Sequence, residues 1–246
     1  MKRFMKLYAV EQKMALRSAD SMIFGVAMPV GILILIAAIA GGKTAGDGGY
    51  TYMQSAFASL IAVGICATAF MGLPLVAAEY RDKKILKHFF VTPCSPAWIL
   101  TATALSCMMN AVLSAIAVSL TAIFGFGYRI EGSIPGFVGA WLLTMLSMFS
   151  IGLLMASLCR KVKTTNAVTS LVYFPMLFLS GATIPYELFP EGLQRVADFL
   201  PLTQGIKLMK AVSMGESLDT VWKIIILLIA VTVICTVVSV KTFRWE

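Results

Sequence analysis

The chain has 246 residues, 59% of them hydrophobic and only 13% charged, with a net charge of +8. One soluble core cannot bury so much apolar surface, which excludes an ordinary soluble domain and makes lipid the main solvent. The basic residues sit at the ends of apolar runs, which speaks for orientation in a membrane and against a nucleic-acid binder.

Residues 1–20 are basic but patterned. Phe4, Leu7, Tyr8, Met14 and Ala15 fall on one side of a helical wheel, Lys2, Lys6, Lys13 and Arg17 on the other, and Glu11 interrupts the apolar side. The pattern predicts a helix lying along the inner membrane surface. Residues 22–41 form the first expected span, kinked by Pro29. Ala38-Ile39-Ala40 resembles a cleavage site, but the apolar run is too long for a signal peptide and more spans follow. Gly42-Lys43-Thr44 imitates the end of a phosphate-binding loop. The first glycine of that motif is replaced by Ala37, and a membrane helix precedes it instead of a strand. The chain is therefore expected to hold no nucleotide or other cofactor.

Residues 55–78 are the second expected span, with Pro74 near one end. The most charged stretch follows, from Glu79 to Pro93. Ile85, Leu86, Phe89 and Phe90 are spaced as one apolar face of a short helix, and Thr92-Pro93 ends it. A helix carrying Glu79, Arg81, Asp82, Lys83, Lys84 and Lys87 beside such a face suits a groove in a soluble partner. Equally, the lysines suit a loop that they only hold on the inner side.

The third to sixth spans are expected at 97–124, 134–158, 166–183 and 220–240. Between the last two lies FLSGATIPYELFPEGLQRVADFLPL, residues 178–202. Ser180-Gly181 breaks the helix, and Pro185, Pro190 and Pro201 forbid an unbroken one. Leu193, Val196, Ala197 and Leu200 share a face of one short amphipathic piece. It is about half as long as a crossing needs, so the expectation is a helix that dips into, or lies on, the outer face. Fourteen Lys and Arg fall on the side of the two termini and the second and fourth loops, against six on the other. Both termini are expected in the cytoplasm, with a multi-pass chain in the inner membrane.

No Asp, Glu or His lies within the six expected spans; Asn110 is the strongest polar group near mid-membrane, and Lys223 sits near an outer end. A proton relay is hard to build without such groups. Cys66, Cys94, Cys107, Cys159 and Cys235 include no closely spaced pair, and His88 stands alone, so no disulfide framework or metal site is expected. Energy must enter from outside the spans.

Over nearly its whole length the chain resembles the membrane subunit of ABC type-2 transporters, the permeases of drug, polyketide and polysaccharide exporters. The resemblance rests on the amphipathic N-terminal helix, the six spans, the basic loop ending in Thr92-Pro93, and the stretch from Leu179-Ser180-Gly181 to Pro201-Leu202. Gln204 departs from it, where the family often has an aromatic. The resemblance implies an all-α membrane domain of residues 1–246, with residues 1–20 as an interface helix. It implies that residues 79–93, including Lys87, Phe89, Thr92 and Pro93, are a coupling helix moved by a separate ABC ATPase, which carries the ATP and Mg. The stretch that begins at Ser180-Gly181 and includes Pro185, Pro190, Leu193 and Pro201 becomes a re-entrant outer gate. Two permease copies, identical or different, and two ATPases make the working unit.

The leading expectation is the permease of an ATP-driven exporter of a hydrophobic or amphipathic drug or antibiotic-like compound, not itself an enzyme. An exporter of a lipid-linked glycan is the alternative within that class. An ion-coupled secondary carrier and a membrane scaffold or sensor are the alternatives outside it.

Overall fold

The computed structural model describes residues 2–18, 22–40, 52–85, 96–130, 132–159, 161–181, 186, 189–215 and 218–242. Among these the chain is helical, with no strand. Nine helices follow in order: α1 (Lys2–Arg17), α2 (a π-helical turn Ile23–Ala27 running into Met28–Ala40), α3 (Tyr52–Ala67, a π turn Thr68–Gly72, then Leu73–Asp82), α4 (Pro96–Leu120 and a π turn Thr121–Gly125), α5 (Ile134–Leu158), α6 (Val162–Leu179), α7 (Glu191–Asp198), α8 (Pro201–Ser213) and α9 (Leu218–Thr242).

Two of the π turns have a chemical cause. Each ends shortly before a proline, Pro29 in α2 and Pro74 in α3. A proline inside a helix donates no N–H and its ring crowds the carbonyl four residues earlier. Widening the preceding turn relieves that crowding while the helix continues. The expected kink at Pro29 is thus a π turn.

α3 is the post around which the others pack. Phe57, Leu60, Ile61, Ile65, Phe70 and Leu73 are all at most 1% exposed. Helices α2, α4, α5, α6 and α8 contact it, while α9 leans on α5 and α8 at the periphery. In the most apolar window of α3, 78% is buried inside the protein, against 11% in α9, so α9 presents most of its surface to lipid. Lipid tails are as apolar as leucine, and close backbone approach must hold such a bundle. Gly152 of α5 provides it: a Cβ there would lie 2.3 Å from the Ala69 carbonyl oxygen of α3.

Among the described residues four helices are long and apolar enough to cross a membrane: Met53–Asp82, Ala97–Gly125, Ile134–Leu158 and Val221–Thr242. The first expected span is the shorter Ile23–Ile39. The fifth is Val162–Leu179, whose first turns carry Lys163, Thr164, Thr165 and Asn166. The helix of the second expected span continues past residue 78 through Asp82, because nothing between Ala78 and Asp82 breaks it. The outer segment before α9 holds a second helix, α8, with Leu202, Ile206, Leu208 and Met209 at most 4% exposed.

Candidate functional site

Polar chemistry gathers at the two ends of the bundle. At one end α3 finishes with Tyr80, Arg81 and Asp82, and each of the three grips a different helix. The Tyr80 hydroxyl donates to Glu11 Oε1 at 2.6 Å, tying α3 to α1. The Arg81 guanidinium donates to the carbonyls of Ala156 (2.5 Å) and Cys159 (2.9 Å), where α5 ends. A helix C-terminus leaves carbonyls unsatisfied and carries partial negative charge, so a cation there is favoured. Asp82 Oδ2 accepts from the Val162 N–H at 3.1 Å, the first residue of α6. That is the mirror case, an anion on orphan N–H groups at a helix N-terminus. Two adjacent side chains of opposite charge thus hold two helix ends of opposite polarity.

Glu11, only 7% exposed, continues this clamp into a polar seam between α1 and α4. Thr103 Oγ1 lies 3.1 Å from Glu11 Oε2 and 3.0 Å from the Ile99 carbonyl, and shares its single proton between them. Ser106 donates to Gln12 Oε1, and Gln12 Nε2 donates to Asn110 Oδ1, both at 2.9 Å. The buried side of α1 therefore runs through Glu11 and Gln12, while Met14, expected on that side, is 51% exposed. Two features that stood out separately in the sequence, an acid on an apolar face and an asparagine in a span, belong to one network.

At the opposite end, α6 stops at Ser180-Gly181. The Ser180 hydroxyl donates back to the Leu177 carbonyl, and Gly181 has φ of +81°, a conformation that side chains with a Cβ rarely adopt. Pro190 precedes α7 and Pro201 opens α8, where a missing N–H costs no hydrogen bond. The two short helices are latched through Asp198. Its Oδ1 accepts from the Tyr186 hydroxyl (2.8 Å) and from Lys207 Nζ (2.5 Å), and Lys207 also lies 4.1 Å from the centre of the Tyr186 ring. Gln204 Nε2 donates to the Asp198 carbonyl at 2.6 Å. Burial works to lower the Lys207 ammonium, but its bonds to Asp198 and Tyr186 outweigh that and hold it above an ordinary lysine. The Lys207 ammonium therefore stays charged through the physiological range. Of the apolar face that Leu193, Val196, Ala197 and Leu200 share, Ala197 is buried, while Leu193 and Val196 are 38% and 53% exposed.

A sequence model for ABC-2 family transporter proteins matches residues 12–241. The chain belongs to that family. It is 28% identical over 166 residues to the inner membrane transport permease YhhJ of Escherichia coli K12, covering 67% of this chain and 44% of that one. It is 25% identical over 187 residues to the probable multidrug ABC transporter permease YbhR of the same organism, covering 76% and 51%. A shorter match, 34% over 79 residues, links it to nodulation protein J of Rhizobium leguminosarum bv. viciae, covering 32% and 30%. The chain spans about half the length of the two permeases, or less.

In this ABC-2 protein the residues expected for coupling divide into two groups. Arg81, half-buried, and Asp82, exposed, bond to other helices. Glu79 and Lys83 are exposed, pair with each other one turn apart, and look outward with exposed Lys84. Ile85 packs near Tyr80 and Ile99. Lys87, Phe89, Thr92 and Pro93, with Pro185 at the other end, lie outside the described residues. Ser180, Gly181, Pro190 and Pro201 mark the bends between α6, α7 and α8. Between α1, α2 and α3 lies a cavity of about 210 Å³, walled by Phe24, Met71 and Leu75 with Ser18, Thr68 and Glu79 among its lining. Both proline-linked π turns border it. Among the described residues no group of His, Cys, Asp and Glu is placed to hold a metal ion.

Proposed function

We propose that this chain is the permease half of an ATP-driven exporter, a six-span subunit of the inner membrane with both termini in the cytoplasm. The Tyr80-Arg81-Asp82 clamp carries the reading. The end of α3, with the exposed Glu79, Lys83 and Lys84, continues into the basic loop that ends at Pro93, and this loop receives the push of a separate ABC ATPase. That ATPase holds and hydrolyses the nucleotide.

Force on the loop moves α1, α5 and α6 together with α3, because each is bonded to its last turn. α6 leads from the clamp to Gly181, whose turn joins it to the latched α7 and α8. Opening this second end requires α7 and α8 to shift, and the Asp198 latch sets the resistance. A second permease copy completes the pathway. The substrate is hydrophobic or amphipathic, of drug or antibiotic-like size. The mixed cavity bordered by the two π turns offers such a molecule apolar walls with two hydroxyls and the Glu79 carboxylate, open to the inner leaflet.

The test is copurification in mild detergent followed by transport in vesicles. A retained ATPase, with efflux of a hydrophobic dye that stops when ATP is replaced by a non-hydrolysable analogue, is the expected result. Transport by the purified chain alone, driven by a proton or sodium gradient, overturns it in favour of an ion-coupled carrier.

A further inference from the structure

Helices α4 and α5 border a groove of about 320 Å³ where α4 ends and α5 begins. Ile116, Leu120 and Ile123 form one wall, Ile134 and Trp141 the other, and Ile61 of α3 closes the back. The volume reaches the lower range of small-molecule sites. The lips are open: Ile116, Leu120, Ile123 and Ile134 are between 44% and 63% exposed. On helices of this length and hydropathy, water is not the solvent that covers them.

Two polar features interrupt the apolar lining. The Trp141 Nε1–H is buried and has no acceptor within the protein. A buried indole N–H usually finds a partner, and leaving it unpaired in hydrocarbon is costly. Trp141 stands seven residues into α5, about 10 Å below its start. At the mouth, Arg129 is exposed and adjoins Ile130, another lining residue. Apolar walls, a hydrogen-bond donor one level down and a cation at the rim match one molecule in order: acyl chain, ester carbonyl, phosphate.

We infer that this groove binds an anionic phospholipid, with an acyl chain between α4 and α5, an ester carbonyl accepting from Trp141 Nε1–H, and the phosphate against Arg129. The site faces the bilayer and stands apart from the clamp, the latch and the inner cavity. It does not depend on the transport reading.

The full-length chain in mild detergent is titrated with phosphatidylglycerol and, separately, phosphatidylcholine, and the adducts are followed by native mass spectrometry. Phosphatidylglycerol should be retained more strongly. Arg129→Gln should lose about fivefold of that preference, as expected for one cation near an anionic headgroup, while still retaining an acyl chain. Ala115→Trp, which fills the groove from α4, should remove both adducts, and Trp141→Phe should weaken both equally. Because Arg129 is exposed, its variant tests the headgroup contact without disturbing the fold. Equal retention of the two lipids by the native chain, or adducts indifferent to both Arg129→Gln and Ala115→Trp, overturns the inference. So does efficient disulfide cross-linking of two copies through Ile134→Cys, which would show that another chain covers the groove.

Discussion

Arg81→Ala is the most informative single change. The wild-type guanidinium donates to two carbonyls at the end of α5, and it is only partly exposed. Hydrogen bonds to charged groups are worth about 1.5–3 kcal/mol each, and the helix-end charge interaction adds about 0.5 kcal/mol. Water replaces part of this in a half-buried setting, so the expected net loss is about 2–3 kcal/mol, far above the ~0.3–0.5 kcal/mol of an exposed pair one turn apart. Glu79→Ala, which breaks such an exposed pair with Lys83, is the internal comparison. Arg81→Lys keeps the charge but replaces a planar fork by a point donor that cannot bridge both carbonyls in the same geometry, and should fall between the two. The assay is thermal unfolding of each variant beside the ratio of transport to ATP hydrolysis in vesicles containing the partner ATPase. Arg81→Ala should lower the midpoint and cut the transport ratio while ATP hydrolysis continues. Glu79→Ala should leave the midpoint unchanged and affect only the ATPase contact. If Arg81→Ala retains both the native midpoint and the native ratio, the clamp transmits nothing.

Gly181→Leu should abolish transport while the chain still inserts: its φ of +81° costs a side chain with a Cβ about 1–2 kcal/mol, and that Cβ would lie 3.2 Å from Tyr186 Cβ. Normal efflux in that variant would reduce the bend to a plain loop. Glu11→Ala leaves the Tyr80 hydroxyl without its acceptor, at a cost of about 1–3 kcal/mol, and should speed proteolysis just after α1, whereas Glu11→Gln should restore most of the protection; equal cleavage of all three proteins would count against the seam. Burial pushes the Cys159 thiol above its ordinary range, against a smaller lowering by Arg81, so the reactive thiolate is scarce at neutral pH. Its alkylation should be slow from either side of the membrane and should rise with pH beyond the range where an exposed thiol has levelled off; labelling complete at pH 7 would contradict its burial.

The pattern of apolar runs made the helical membrane fold legible, because a long apolar helix leaves an unmistakable mark in one dimension. The coupling residues were legible only as a class. Glu79, Arg81, Asp82, Lys83 and Lys84 form one charged string, and nothing in a string says that its second and third members bond to other helices. That decision depends on where α5 ends and α6 begins, 75 to 80 positions further along the chain. The same limit applies to α8, which the apolar pattern did not single out. Lys207 pairs locally with Asp198, which leaves the rest of the helix free to be buried. Gln204, a departure from the family pattern by sequence, has a defined task here: its side-chain amide caps the carbonyl at the end of α7. A phenylalanine at that position has no donor to place there, so the Asp198 latch and Gln204 form one local solution. The change at 204 thus adds a bond that ties the start of α8 to the end of α7, at the joint that has to move if the second end of the bundle opens.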